Sequence, residues 1–404
     1  MSKKKNVFLL GVTSFFTDVS SEMIFAVLPI FLRTVLGAPF AVIGLIEGLA
    51  EGASSFLKYF SGWLSDFIKK RKALAFWGYV FSSLSKLFLI GANSWIFVLI
   101  LRVLDRAGKG IRTSPRDALI TESVEVRERG KYFGLHRAMD SAGAFFGVLL
   151  VVLISYLTFK QFFFEETQIA QIIRNIFLIA FLPALLALIP FFFIKDVRKQ
   201  DNSGISHSSK LFSFKGFPSQ FYKGVFVLGI LALGNVSYAF FLLKSQAIGV
   251  ALFLLPLLYL IYNLFYACFS YPSGKLSDKF GRVKVLSFGF LILSLVFFTL
   301  GFNESKTIIW LLFALYGLSL AIVDSVSKAF LADIASQARK GESFGFYYMV
   351  VGFMSIAGNL IFGFLWDKIN HVFPFAVSGV LVAFSALLLL FFFKNYETLQ
   401  RADY

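Results

Sequence analysis

Apolar runs of roughly 20 residues recur along the whole chain, separated by short polar stretches, which is the length a helix needs to cross a bilayer. The pattern predicts twelve helices, at 6–36, 40–64, 73–92, 95–121, 132–158, 169–194, 222–248, 250–273, 284–303, 306–333, 344–366 and 372–394. The fourth breaks the apolar rule. Its stretch LRVLDRAGKGIRTSPRDAL, residues 101–119, sets Arg102, Asp105, Lys109, Arg112 and Arg116 along one helical face. Ala107, Gly108 and Gly110 lie among them, and such small residues let a neighbouring helix approach closely.

Composition fits the pattern. Of 404 residues 58% are hydrophobic and 15% charged, against about 25% charged in soluble domains. The chain is expected to be an all-α, multi-pass membrane protein. Its net charge of +16 does not point to nucleic acid, because no nucleic-acid module is visible and the basic residues cluster in alternate short loops. Those loops carry Lys3–Lys5, Lys69–Lys72, Arg127/Arg129/Lys131, Lys195/Arg198/Lys199, Lys275–Lys284, Arg339/Lys340 and Lys394. The positive-inside rule places them, and both termini, in the cytoplasm. The basic start followed by Val7–Phe16 imitates a signal peptide, but the run continues through Asp18 and Glu22 without a cleavage site, so a retained first helix is expected. The single cysteine, Cys268, allows no intrachain disulfide.

The polar, serine-bearing segment 195–221 reads as a cytoplasmic linker between an N-terminal half, 1–194, and a C-terminal half, 222–404. The halves repeat each other. Gly62-Trp-Leu-Ser-Asp66 returns as Gly274-Lys-Leu-Ser-Asp278, an offset of 212 (274 − 62). Phe133-Gly134 returns as Phe344-Gly345, an offset of 211 (345 − 134). Two landmarks at nearly one offset imply parallel halves of six helices each.

The doubled string, continued by Lys70-Arg71-Lys72 in the first copy and by Gly281-Arg282 in the second, resembles the signature loop of the major facilitator superfamily (MFS). Arg102 with Gly108 is similar to that superfamily's helix-4 arginine motif. SFFTDVSSEMI (14–24), IEGLAE (46–51) and GLHRAMD (134–140) look like an uncharacterised bacterial branch of it. The resemblance covers the whole chain. It implies twelve transmembrane helices in two pseudo-symmetric six-helix bundles, with helices 1, 4, 7 and 10 lining a central cavity. It implies a gating role for Gly62, Asp66, Arg71, Arg116, Gly274, Asp278 and Arg282, with Arg116 the expected partner of Asp66. Gly143-Ala-Phe-Phe-Gly147 keeps the glycine spacing of the drug exporters' antiporter motif but lacks its Gly-Pro.

Charges inside a bilayer cost roughly 2.5–3.5 kcal/mol each on insertion scales and need a partner or water. Asp18 and Glu22, four apart on helix 1, form a candidate proton-coupling pair. Arg102 and Arg106 are candidate ligands for an acidic substrate group, since a guanidinium stays charged and grips a carboxylate or phosphate with two donors. Asn235 and Tyr238 on helix 7 are candidate substrate contacts. Glu47, Glu51, Lys86, Asp105, Lys109, Arg112 and Asp140, with Asp324 and Lys328 in the second half, are expected to form charge networks. No metal-ligand spacing, nucleophile elbow or phosphate loop appears, so no enzyme chemistry, metal or cofactor is expected. The expectation is a secondary transporter, monomeric, in the bacterial inner membrane. It would move a small polar solute, anionic or zwitterionic, by alternating access coupled to protons. Efflux of amphipathic drugs, lipid flipping and a non-transporting receptor are the alternatives.

Overall fold

The computed structural model describes residues 2–68, 70–125, 129–158, 166–195, 216–335 and 340–394. Every regular element among them is helical: α1 (Ser2–Phe25), α2 (Phe40–Ile68), α3 (Arg71–Leu89), α4 (Trp95–Ser123), α5 (Arg129–Thr158) and α6 (Glu166–Leu186). The second half follows with α7a (Ser219–Gly234), α7b (Tyr238–Ala247), α8 (Leu255–Phe280), α9 (Arg282–Phe302), α10 (Ile308–Ile334), α11 (Lys340–Lys368) and α12 (Val372–Phe392). The twelve expected helices are therefore present, α7 in two pieces. Ten helical stretches are long and apolar enough to span a bilayer; α3 and the charge-striped α4 are not among them.

Several boundaries differ from the sequence pattern. Helix α8 runs past 273 to Phe280, and α2 past 64 to Ile68, so both Gly-x-Leu-Ser-Asp strings lie on the last turns of helices rather than in loops. Nothing between Gly274 and Phe280 breaks a helix; the stop is Gly281, whose φ of 100° suits only a residue without Cβ. Helix 7 is interrupted at 235–237, where Asn235 and Ser237 are non-helical. Ser237 restarts the helix by accepting a hydrogen bond from the Ala239 N–H at 3.2 Å. Helix 1 continues beyond Phe25 through a short turn at Leu28–Ile30 and a π-helical turn at Phe31–Val35.

The chain packs as two compact units. The first comprises Met1–Ile24, Ala53–Gly147 and Arg174–Gly216; the second comprises Phe25–Gly52, Val148–Ile173 and Phe217–Tyr404. In the first, α3 and α4 approach backbone to backbone at Gly78 and Gly108. Helix α5 sets Gly143 and Gly147 against the α1 backbone at Phe15 and Val19, which is what the glycine spacing of that helix provides. Ser61 and Ser114 tie α2 to α4 by donating to the carbonyls of Gly110 (3.0 Å) and Lys58 (2.7 Å). An apolar cluster of Val7, Leu10, Ala75, Tyr79, Leu119, Ile120, Phe191 and Ile194 fills one end of this unit.

In the second unit Gly317 of α10 lies against the α8 backbone at Tyr262 and Tyr266. Phe241 of α7b stacks on Tyr316 of α10, with centroids 4.1 Å apart. The Asp367 carboxylate caps α2, accepting from the N–H groups of Phe40 (3.1 Å) and Ala41 (2.8 Å).

Candidate functional site: charged and polar groups inside the helices

In the first unit the α4 stripe is built as the spacing requires. Arg102 is buried, 1% exposed, with its guanidinium 3.7 Å from the Asp105 carboxylate one turn on. Asp105 also accepts a hydrogen bond from Ser82 of α3. Lys86, likewise 1% exposed, donates to the Ser21 hydroxyl at 2.9 Å and to the Thr17 carbonyl at 3.5 Å, and its charge acts on Asp105. Buried charges persist only when paired, and this group is paired across α1, α3 and α4, although the buried Arg102 Nη1 has no hydrogen bond. Arg106 and Lys109 are half-buried on the same helix.

Further along α4 the Arg112 guanidinium lies over the Tyr79 ring, 4.5 Å from its centroid. Tyr79 Oη is 3.3 Å from Ser14 Oγ, which is 2.9 Å from His136 Nε2. Arg116 donates to Ser14 Oγ at 3.3 Å and pairs with Asp117 at 2.9 Å. The expected Arg116 partner, Asp66, has a side chain outside the described residues, as do the linker positions 196–215. What the structure shows for Arg116 is an intrahelical pair with Asp117.

The Asp18 carboxyl lies beside the carboxyl of Asp140 on α5. Glu22 is half-buried one turn along and acts on Asp18 through its charge, as their spacing suggests. Asp140 adds a second carboxyl from across the helices. Lys109, Arg116 and Arg137 supply the neighbouring charge, Arg137 through an ion pair with Asp140 at 3.2 Å.

Lys86, Asp105, Lys109, Arg112 and Asp140 belong to the first unit, while Glu47 and Glu51 belong to the second. Glu47 is buried and accepts from the Ser237 hydroxyl at 3.0 Å; Glu51 is exposed. The Ser237 N–H, released by the break in helix 7, donates to Asn359 Oδ1 of α11 at 2.8 Å. Sequence reasoning does not single out Asn359; a lone amide in an apolar helix is the signal that could have found it. Asn235 keeps its Oδ1 buried without a hydrogen bond, and Tyr238 donates to the Phe25 carbonyl at 3.4 Å.

Asp324 and Lys328 are exposed on α10 and do not pair with each other; Asp324 accepts from Tyr266 of α8 at 3.0 Å. Lys244, fully buried, reaches Glu304 at 2.8 Å, and that hydrogen bond holds the Glu304 carboxyl below the ordinary glutamate value.

In the signature strings, Arg71 pairs with Glu122 at 2.5 Å. Arg282 bridges Asp333 and, at 3.7 Å, Asp278. Asp278 sits in the last turn of α8, where the helix dipole opposes a negative charge, and Arg282 offsets it. Gly62 and Gly274 have room for a Cβ. Among the described residues no group of three or more His, Cys, Asp or Glu is placed to hold a metal.

Comparison with known proteins agrees with this geometry. The sequence profile described as Major Facilitator Superfamily matches residues 10–256 and 224–403. An uncharacterized MFS-type transporter of Methanocaldococcus jannaschii is 39% identical over 393 residues, covering 96% of this chain and 94% of its own. The crystal structure of a D-xylose-proton symporter superposes with a TM-score of 0.77 at 15% identity, over 96% of this chain and 97% of that one. The crystal structure of a nucleoside transporter gives 0.73 at 14% identity, over 98% of this chain and 99% of that one. Twelve helices, a doubled signature string and a profile match running through both halves converge, and the chain belongs to the major facilitator superfamily.

Proposed function

We propose that this protein is a proton-coupled secondary transporter of a small polar organic solute, anionic or zwitterionic, working by alternating access. The observation that carries the coupling is the approach of the Asp18 and Asp140 carboxyls to each other across α1 and α5. Two like charges at one site inside a bilayer are costly, so such a pair favours holding one proton. That proton lies within the apolar segments of α1 and α5, where opening the pair to water on one side and then the other would load and release it. Lys109, Arg116 and Arg137 stand by to compensate the pair when the proton leaves. Glu22, one turn along α1, is a second station for it.

The helix-4 stripe supports the charge class of the solute. Arg102 and the half-buried Arg106 both bear on Asp105, and they are the two cations of this stripe read as meeting an acidic substrate group. The basic loops support a cytoplasmic-membrane location with both termini on the cytoplasmic side. Stabilisation screening of the purified full chain against a metabolite library supplies a solute, whose uptake into vesicles is then driven by an imposed pH gradient. Gradient-driven uptake is expected to collapse in Asp18→Asn and in Asp140→Asn while equal-pH exchange persists. Gradient-driven uptake that survives in the double variant would remove the pair from coupling.

A further inference from the structure

Asp324 sits ten residues from the end of α10, about 15 Å along the helix, on an otherwise apolar segment, Ile308–Ile334. It is exposed, and a carboxylate at that depth cannot face lipid without heavy cost, so its side of the helix is wet. Among the described residues its hydrogen bond is to Tyr266, and no cation lies within ion-pair distance of it; Lys328, one turn on and also exposed, leaves it alone.

Tyr266 ends a run of tyrosine rings. Tyr259, Tyr262 and Tyr266 recur along one face of α8, with centroids 5.5 and 6.2 Å apart. Tyr238 of α7b stands 4.7 Å from Tyr259, and Tyr316 of α10 stands 5.2 Å from Tyr262. Tyr316 donates to the Val236 carbonyl at 3.4 Å, which joins the run to the break in helix 7. There the buried Asn235 Oδ1, a second acceptor, has no hydrogen bond. Gly317 fixes this arrangement, because any side chain there would strike the backbone at Tyr262 and Tyr266. Aromatic faces carry negative potential, and rings beside a carboxylate make a surface for a cation that also bears a flat or cyclic apolar part.

We propose that the half-buried Tyr262–Tyr266 face of α8, with Asp324 beside Tyr266, is a binding site for the protonated amine of a ring-bearing organic solute. The inference rests on the transporter reading and narrows its charge class to zwitterions, whose ammonium group this site takes.

The test uses the full-length protein in nanodiscs and three probes of one shape: phenethylammonium, neutral phenethyl alcohol and anionic 3-phenylpropionate. Calorimetric titration is expected to show binding of phenethylammonium and weaker or no binding of the other two. Asp324→Asn should weaken phenethylammonium by at least about tenfold, the loss of one charge-assisted contact. Tyr266→Phe, which removes only the hydroxyl donated to Asp324, keeps the ring and guards against a folding artefact; it should leave the cation preference in place. Failure of phenethylammonium to bind, equal binding of all three probes, or unchanged affinity in Asp324→Asn overturns the site. Uptake of a screened solute into vesicles separates the two readings. Transport intact with no cation preference removes this site alone, whereas cation binding without transport of any solute removes the transporter reading alone.

Discussion

Gly78 on α3 and Gly108 on α4 meet backbone to backbone: a Cβ at Gly78 would stand 2.7 Å from the Gly108 carbonyl oxygen and 2.9 Å from the Arg112 nitrogen. Backbone atoms cannot swing aside, so the helices would have to separate. That separation would also disturb the contacts that Ser82 and Lys86 make beside Asp105. Gly78→Ala is expected to destabilise by about 1–3 kcal/mol, the usual range for overpacking. Gly134→Ala is the control, because nothing lies within 4 Å of its Cβ position and alanine favours a helix. Thermal unfolding of both variants in one detergent checks the difference. Equal midpoints would show that the two helices part without cost.

Asp367 closes the start of α2 with both carboxylate oxygens. A cap of this kind contributes about 1 kcal/mol, and the charge adds to it at a helix N-terminus. Asp367→Ala should therefore speed hydrogen exchange at Phe40–Ile43 in particular, and Asp367→Asn should speed it less, since an amide oxygen still accepts. An Asp367→Ala variant with unchanged exchange at these amides would mean that the first turn of α2 is held by its packing alone.

The Glu304 carboxyl titrates below its ordinary 4.5, first because Lys244 donates to it and further because His371 lies 3.3 Å away. A depressed carboxylate value means that the folded state favours the charged form. The stabilisation is therefore complete above the unfolded value and is lost as pH falls through the folded one. Glu304 is 65% exposed, so solvent screens the effect and a small contribution is expected. The unfolding midpoint of Glu304→Gln should trail the parent at neutral pH and converge with it at acidic pH below that window. A deficit that stays constant down to the lowest pH would show that shape, not charge, is what Glu304 contributes.

How much of this was legible depends on the distance over which a signal acts. The twelve helices were, because an apolar run of spanning length is a local pattern that the bilayer enforces. The doubled Gly-x-Leu-Ser-Asp string was also legible, and it carried the superfamily. The ends of α2 and α8 were missed because the string resembles a loop, whereas Gly281 is the residue that stops the helix. The α4 stripe was legible as a face, but its partners were not. Asp18 meets Asp140 as well as Glu22, and Ser14 finds His136, 122 residues away. Spacing of four on one helix brings two side chains near each other, but crossing helices add further partners, and no periodicity records which helices cross. Glu47 shows the same limit, since its partner Ser237 lies 190 residues away in the chain.

Asp105 binds the buried charges of the first unit into one group, and its removal should expose how they depend on one another. Arg102 stands 3.7 Å away, Ser82 donates to it, and the charge of the buried Lys86 acts on it. Replacing Asp105 by Asn keeps the volume and the acceptor but removes the negative charge, leaving two buried cations without it. Breaking one side of a buried pair costs about 3–5 kcal/mol, far more than the pair contributes against apolar residues of similar size. Asp105→Asn should therefore be severely destabilised, and Lys86→Met in that background should recover part of the loss by removing one of the two stranded cations. Residues in one network depart from additivity by about 0.5–3 kcal/mol, and here the sign should be a rescue. Unfolding midpoints of the two single variants, the double variant and the parent close the cycle. Additive losses would mean that Lys86 and Asp105 are neutralised separately, Lys86 by Ser21 and the Thr17 carbonyl, and that the α4 stripe is a row of independent sites.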